Sequence, residues 1–227
     1  MKESHQYYEE FYKKGDWNTN LTKLKYQLKS YLKYCSFEQK LPPKSILDIG
    51  CGTGDYVAIL SSMGYEAYGI DFAKTAIDKA KEKYTHLKFK QADAINMDMN
   101  ETFDLLLVNG FSVFNTEDLK IHKKIISSWK DLLTENGAIL IISRTSFACE
   151  YSSTGWFYHT ERQLKDMYSH EDFNTKIYYT HPKLRYSVLV PFLPNVIGLL
   201  VDVISKYIIA GIFKIPIQYI VVMTSSK

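Results

Sequence analysis

The sequence predicts an α/β fold: a doubly wound, mostly parallel sheet with helices on both faces. Three observations carry this. Ile46-Leu47-Asp48-Ile49 reads as a buried strand, followed at once by Gly50, Gly52 and Gly54 and then by a helical segment. Glycines there let the backbone turn sharply at a strand's carboxyl end and approach a ligand closely. Strand-like and helix-like apolar patterns then alternate as far as Tyr179, which builds a parallel sheet covered on both sides. Finally, Asp71 and Asp93 close the second and third strands, about twenty residues apart, and a carboxylate at the first of these ends suits the two hydroxyls of a ribose.

Taken in order, Tyr7–Lys14 and Leu21–Phe37 carry helical spacing, the second through Leu21, Leu24, Leu28, Tyr31 and Leu32. Pro42-Pro43 breaks the chain before the first strand. Strands are expected at Ser45–Ile49, Ala67–Ile70, Leu87–Gln91, Phe103–Val108, Ala138–Ser143 and Lys176–Tyr179, with helices at Asp55–Met63, Ala73–Tyr84, Asp118–Leu133 and Glu161–Met167. Thr160 with Gln163 matches a capping box opening the last of these helices. Gln218–Thr224 reads as a final strand.

Before it, Tyr186–Ile217 is mostly apolar, interrupted by Pro191, Pro194, Asp202, Lys206, Lys214 and Pro216. No uninterrupted run reaches the roughly 18 residues of a membrane span. One or two short helices roofing the strand ends are expected, with Pro191 and Pro194 shaping the mouth and Pro216 ending the segment. Asp202 and Lys206, four apart, can pair on one helical face. The composition suits first a buried cap, and second an interfacial helix contacting a membrane surface or a lipid-like substrate. The expected organisation is a single domain over 1–227: a helical lid (1–44), a core (45–180), an apolar cap insertion (181–216) and the last strand (217–227).

A chain of 227 residues can bury a sizeable core. Its 28 lysines and arginines exceed its 25 aspartates and glutamates by only three, so no nucleic-acid partner is implied. Cys35, Cys51 and Cys149 lack metal-ligand spacing, which speaks against a metal site or a disulfide framework. Met1–Glu10 is too polar for a signal peptide, so the expected compartment is the reducing cytoplasm. The 18 tyrosines cluster at the amino end and after Ser143, flanking the expected cleft.

Nicotinamide-dependent oxidoreductases share this fold class, with a G-x-G-x-x-G fingerprint that faces a pyrophosphate to a helix amino end. Here the loop is G-x-G-x-G followed by Asp55, an acid poorly suited to face that group. With its two strand-end acids, the stretch Ser45–Phe173 resembles the class I S-adenosylmethionine-dependent methyltransferases. The resemblance implies a Rossmann-like seven-stranded sheet whose last strand inserts antiparallel between the fifth and sixth, with S-adenosyl-L-methionine as cofactor. A domain that only holds this cofactor, as a regulatory subunit, is a further reading.

The resemblance also implies roles. Gly50, Cys51, Gly52 and Gly54 form the cofactor loop, and Asp71 accepts from both ribose hydroxyls, although an aspartate there also suits a helix cap. Phe72 packs on adenine or belongs to the core. Asp93 accepts from the adenine amino group, and Ala94 offers its backbone amide. Asp48 meets the cofactor's amino group or bonds the glycine loop. Asn109 stands where the fourth strand exits past the transferable methyl, and Asn109-Gly110-Phe111-Ser112 departs from the prolines of nucleobase and glutamine methylators. This favours a small-molecule acceptor, methylated at oxygen: a polar metabolite or sugar, or a quinone- or lipid-like compound. Tyr8, Tyr12 and Trp17 of the leading helix are candidates to shield a sulfonium. His159 leads the candidate bases, ahead of His5, His122 and His181, and Arg144 can bind an anionic acceptor group bidentately.

Overall fold

A computed structural model describes residues 2–15, 20–39, 42–97, 99–147, 149–153, 155–180, 200, 202–212 and 216–226. Trp17, His181, Pro191, Pro194 and Lys214 fall outside these, as does the side chain of His5.

Two helices lead, α1 (Lys2–Lys14) and α2 (Leu21–Glu38), the second opened by Asn20, whose side chain accepts from the Lys23 N–H. Then follow β1 (Ser45–Ile49), α3 (Asp55–Ser62), β2 (Glu66–Asp71), α4 (Lys74–Lys83), β3 (Lys88–Gln91) and β4 (Phe103–Asn109). The second half contains α5 (Leu119–Trp129), β5 (Leu133–Thr145), the short β6 (Glu150–Tyr151) and β7 (Phe157–Tyr158), α6 (Glu161–Tyr168), β8 (Phe173–Thr180), a π-helix (Ser205–Ile212) and β9 (Ile217–Ser225).

Seven strands form one sheet in the order β3-β2-β1-β4-β5-β9-β8. All neighbours from β3 through β5 pair in parallel, and β9 runs antiparallel to both β5 and β8. This is the insertion expected of the last strand. The central strands are buried on both faces, so they read as continuous apolar runs rather than alternating ones. Leu47, Ile49, Leu106, Val108, Ile139, Ile141 and Val221 pack on one side with Trp129 of α5 and Leu164 and Met167 of α6. Ile46, Leu105, Leu107, Leu140, Ile142 and Val222 pack on the other with Leu28 and Tyr31 of α2, Leu60 of α3 and Ile77 of α4. Strand order reverses between β1 and β4, and ligand clefts in such sheets open beyond the carboxyl ends at that point.

The Thr160–Gln163 capping box is present, with both reciprocal bonds formed. Three local expectations differ. The helix expected over Asp118–Leu133 ends at Trp129, a 3₁₀ turn occupies Lys130–Leu132, and β5 begins five residues early with an irregular register opposite Phe103 and Leu105. The β6–β7 hairpin was not foreseen, because two-residue strands are too short to show a period. Asp202 and Lys206 do not pair with each other. Tyr34 donates to the Asp202 carboxylate at 3.1 and 3.3 Å, while Lys206 lies 2.8 Å from Glu161. Among the described residues no helix is long and apolar enough to cross a membrane.

Candidate cofactor site

The glycine loop is built by backbone conformations that a side chain would strain. Gly50, Gly52 and Gly54 have φ of 78°, 53° and 84°. The N–H groups of Gly50 and Cys51 both donate to the Ile70 carbonyl, at 2.8 and 2.9 Å, which ties the exit of β1 to the end of β2. A Cβ on Gly54 would lie 2.6 Å from the Phe89 ring, so close packing of helix on sheet also demands glycine there. Cys51 fills the space beneath. Burial, with Asp48 and Asp71 nearby, pushes its thiol well up, so it is inert filling rather than a nucleophile.

Asp71, at the end of β2, is nearly buried and joins two segments. Its Oδ2 accepts from the Gly52 N–H and its Oδ1 from the Ala73 N–H, both at 2.9 Å. Each carboxylate oxygen keeps a second lone pair, so bracing the loop and accepting a hydroxyl are compatible. Burial raises its pKa, against the lowering effect of these two bonds. Asp48 is 1% exposed, and its Oδ2 has no hydrogen-bond partner among the described residues. Burial, then the neighbouring Asp71, pushes its carboxyl up to about 8.

The cleft above these groups has two lobes. One is lined by Tyr8, Tyr12, Asp71, Phe72, Asp93, Ala94, Asn109, Phe111 and Ser112. The other is lined by Tyr12, Asp48, the loop from Gly50 to Thr53, Asp55, Tyr56 and Asn109. Asp93 shapes its own turn, its Oδ1 accepting from the Ile95 N–H at 2.9 Å, and the Trp129 indole donates to the Ala94 carbonyl at 2.8 Å. The Asn109 Nδ2 donates to the Tyr56 hydroxyl at 2.9 Å, where the lobes meet. Tyr12 lies across the loop: a Cβ on Gly52 would be 2.8 Å from its hydroxyl oxygen. Asp55 is turned toward Lys83 and Tyr84, each 2.7 Å from its Oδ1.

The structure thus brings together Tyr12, Asp48, Gly50, Cys51, Gly52, Asp71, Phe72, Asp93, Ala94 and Asn109, with Gly54 beneath them. It does not bring in His159 or Arg144. His159 is buried against Phe157 and His122, and its Nε2 donates to the Thr116 carbonyl at 2.9 Å; burial lowers its pKa. His122 packs its Nδ1 against the Met167 sulfur, and burial, then His159, lowers it to about 3. Arg144 is exposed on β5, opposite Gln218 of β9. Sequence reasoning missed Tyr56 and Ser112. The signal available for Tyr56 was its place in the first turn after the glycine loop.

These residues fit S-adenosylmethionine. The buried, unpartnered carboxylate oxygen of Asp48 suits an ammonium group, Asp71 suits a ribose, and the lobe between Phe72 and Phe111 suits a flat aromatic ring. Residues 42–187 match a family model described as a methyltransferase domain. This chain belongs to that family. An uncharacterized RNA methyltransferase of Protochlamydia amoebophila is 34% identical over 89 residues, 35% of this chain and 20% of that protein, so the match spans about a fifth of the relative. Among solved structures, the plantazolicin methyltransferase BpumL, in complex with a pentazolic desmethylPZN analog and SAH, is similar at a TM-score of 0.63, with 17% identity, 92% of this chain and 87% of that one covered. The [4+2]-cyclase SpnF is similar at 0.55, with 14% identity, 80% and 75% covered. At such identities the likeness carries the fold alone.

Proposed function

We propose that this methyltransferase-family domain catalyses methyl transfer from S-adenosylmethionine to a small-molecule acceptor, at oxygen. The observation that carries the reading is the orphaned Asp48 oxygen beside the left-handed glycine loop, on the floor of a cleft whose other acid is Asp71. A dinucleotide would bring a pyrophosphate to the start of α3, where Asp55 is turned to Lys83 and Tyr84 and no lysine or arginine lines the lobe among the described residues. When bound, S-adenosylmethionine supplies an electrophilic methyl on a sulfonium.

In this reading Asp48 holds the amino group of the methionine portion, and Asp71 holds the ribose hydroxyls. Phe72, Asp93 and Ala94 form the adenine side, and Asn109 lies where the two halves join. Tyr8, Tyr12 and Phe111 exclude water and leave aromatic surface facing a positive centre.

Among the described residues no histidine or lysine lines this cleft. The acceptor we favour is therefore an oxygen that needs little help to ionise, a phenol or carboxylate, on a molecule with an apolar face that suits the aromatic lobe. Calorimetry tests the cofactor: micromolar binding of S-adenosylmethionine is expected, roughly −8 kcal/mol. Clear binding of a nicotinamide dinucleotide with none of S-adenosylmethionine would overturn the assignment. Incubation with methyl-labelled cofactor and small-molecule extracts should yield a labelled ester or aryl ether. Tight cofactor binding with no labelled product from any extract would instead favour a binding-only domain.

A further inference from the structure

The fastening of α1 uses a carboxylate in an unusual place. Glu9 accepts from the backbone N–H of Lys74 at 2.6 Å and of Thr75 at 3.1 Å, in the first turn of α4. The residue that begins this helix, Ala73, has no capping side chain, so a carboxylate from another helix takes the role. Its charge also sits at the positive end of the α4 dipole. Burial works against that charge, but the bonds from Thr75 and Lys74 outweigh it and hold the Glu9 carboxyl below its usual range.

The Ala73 N–H is not shared with Glu9; it goes to Asp71. Successive N–H groups of one helix start are therefore divided between the acid of the cofactor cleft and the helix that covers it. Across the cleft, Tyr8 lines the same lobe as Ser112, just beyond the exit of β4. Tyr8 stands edge-on to Phe72, with ring centroids 5.7 Å apart, and Tyr12 rests on Gly52. α1 crosses the cleft as a strap. On its outer side Tyr7, Glu10, Lys13 and Lys14 are exposed.

We propose that Glu9 is a positioning residue that clasps α1 over the cleft, so that cofactor and product exchange only when this clasp opens. The inference rests on the cofactor reading above. It predicts a kinetic signature that a contact residue lacks: a gate slows arrival as well as departure, whereas a contact acts mainly on departure.

Stopped-flow binding of S-adenosylhomocysteine to full-length wild type, Glu9→Ala and Glu9→Gln reads this directly. In Glu9→Ala both association and dissociation should accelerate, dissociation by about tenfold, the effect expected of losing charge-assisted bonds that are partly solvated. Glu9→Gln should be intermediate, because its amide oxygen still accepts one of the two bonds. Amide exchange over residues 2–14 should rise in Glu9→Ala, with the melting temperature falling by no more than the few degrees that a lost helix cap costs. Unchanged rates in a wild type that binds normally would sink the clasp and spare the cofactor reading. Faster dissociation without faster association would make Glu9 an ordinary contact and also overturn the gate. Failure of wild type to bind S-adenosylhomocysteine at all would remove the cofactor reading, and the clasp with it.

Discussion

Replacing Asp48 by asparagine should strengthen the ligand-free protein and weaken its hold on the cofactor. The Asp48 carboxyl is buried, has an unpartnered oxygen and titrates at about 8, against an ordinary value of 3.8. Between those values the native state keeps a proton that the unfolded chain has released. The native state therefore binds more protons, and stability falls as pH rises through this window. At pH 7 the accumulated cost is up to about 4 kcal/mol. Asparagine has nearly the same shape and no charge to desolvate, so the variant should melt several degrees higher at pH 8 and show a flatter profile from pH 5 to 8. The same substitution removes the partner proposed for an ammonium group, and affinity for S-adenosylmethionine should drop by about tenfold or more. A second readout isolates the proton. At pH 7 the ligand-free carboxyl is mostly protonated, so binding a cation beside it should release close to one proton from wild type and that much less from Asp48→Asn. Calorimetry in phosphate and in Tris, whose ionisation heats differ, measures that difference. Equal proton release by the two proteins, together with unchanged affinity, would refute the placement of an ammonium group at Asp48.

Three further outcomes test the rest of the site. Asp71→Ala should weaken cofactor binding about a hundredfold and lower the melting temperature, because the Gly52 and Ala73 N–H groups lose their acceptor; binding within threefold of wild type would leave Asp71 as a brace only. His159→Ala should cost about 2 kcal/mol of stability through the lost Thr116 bond and the space left behind, with turnover per folded molecule unchanged; a large fall in turnover at constant melting temperature would restore it as a base. Leu200→Asp, at a side chain 57% exposed, should leave the melting temperature within about 1 °C, and a drop of several degrees would show that this side chain is covered in the folded protein.

The parts of the molecule legible in the sequence are those whose partners lie close along the chain. Gly50, Gly52, Gly54 and Asp71 belong to one β-α-β unit, so their spacing alone foretells a left-handed turn facing a strand-end acid. The buried strands announce themselves because a central parallel strand must be apolar on both faces. The Thr160 capping box is equally local, and it formed as expected. What the sequence hid is set by tertiary placement. His159 stands where a substrate-facing residue was expected, at the start of α6, yet Phe157 and His122 take its ring and Thr116 takes its Nε2. Nothing in the spacing of those residues says which way the imidazole turns. Glu9 is invisible for the same reason, since its relation to the cleft exists only once α1 lies across it.

Asp202 and Lys206 show how such local reasoning is overruled. An exposed pair four residues apart gains only about 0.2–0.5 kcal/mol on a helix. A buried carboxylate accepting from a hydroxyl gains about 1.5–3 kcal/mol. Once α2 brings Tyr34 to one side and α6 brings Glu161 to the other, the weaker local pairing is abandoned. Each residue then fastens the segment from 202 to 212 to a different layer of the fold: Asp202 to the helix that follows the strap, and Lys206 to the helix behind the fifth strand. Lys206 also lies 5.0 Å from the centres of the Tyr179 and Tyr207 rings, adding an attraction to aromatic faces. The stretch around Asp202 and Lys206 is thus better read as a segment held by two separate polar anchors than as a helix pairing with itself.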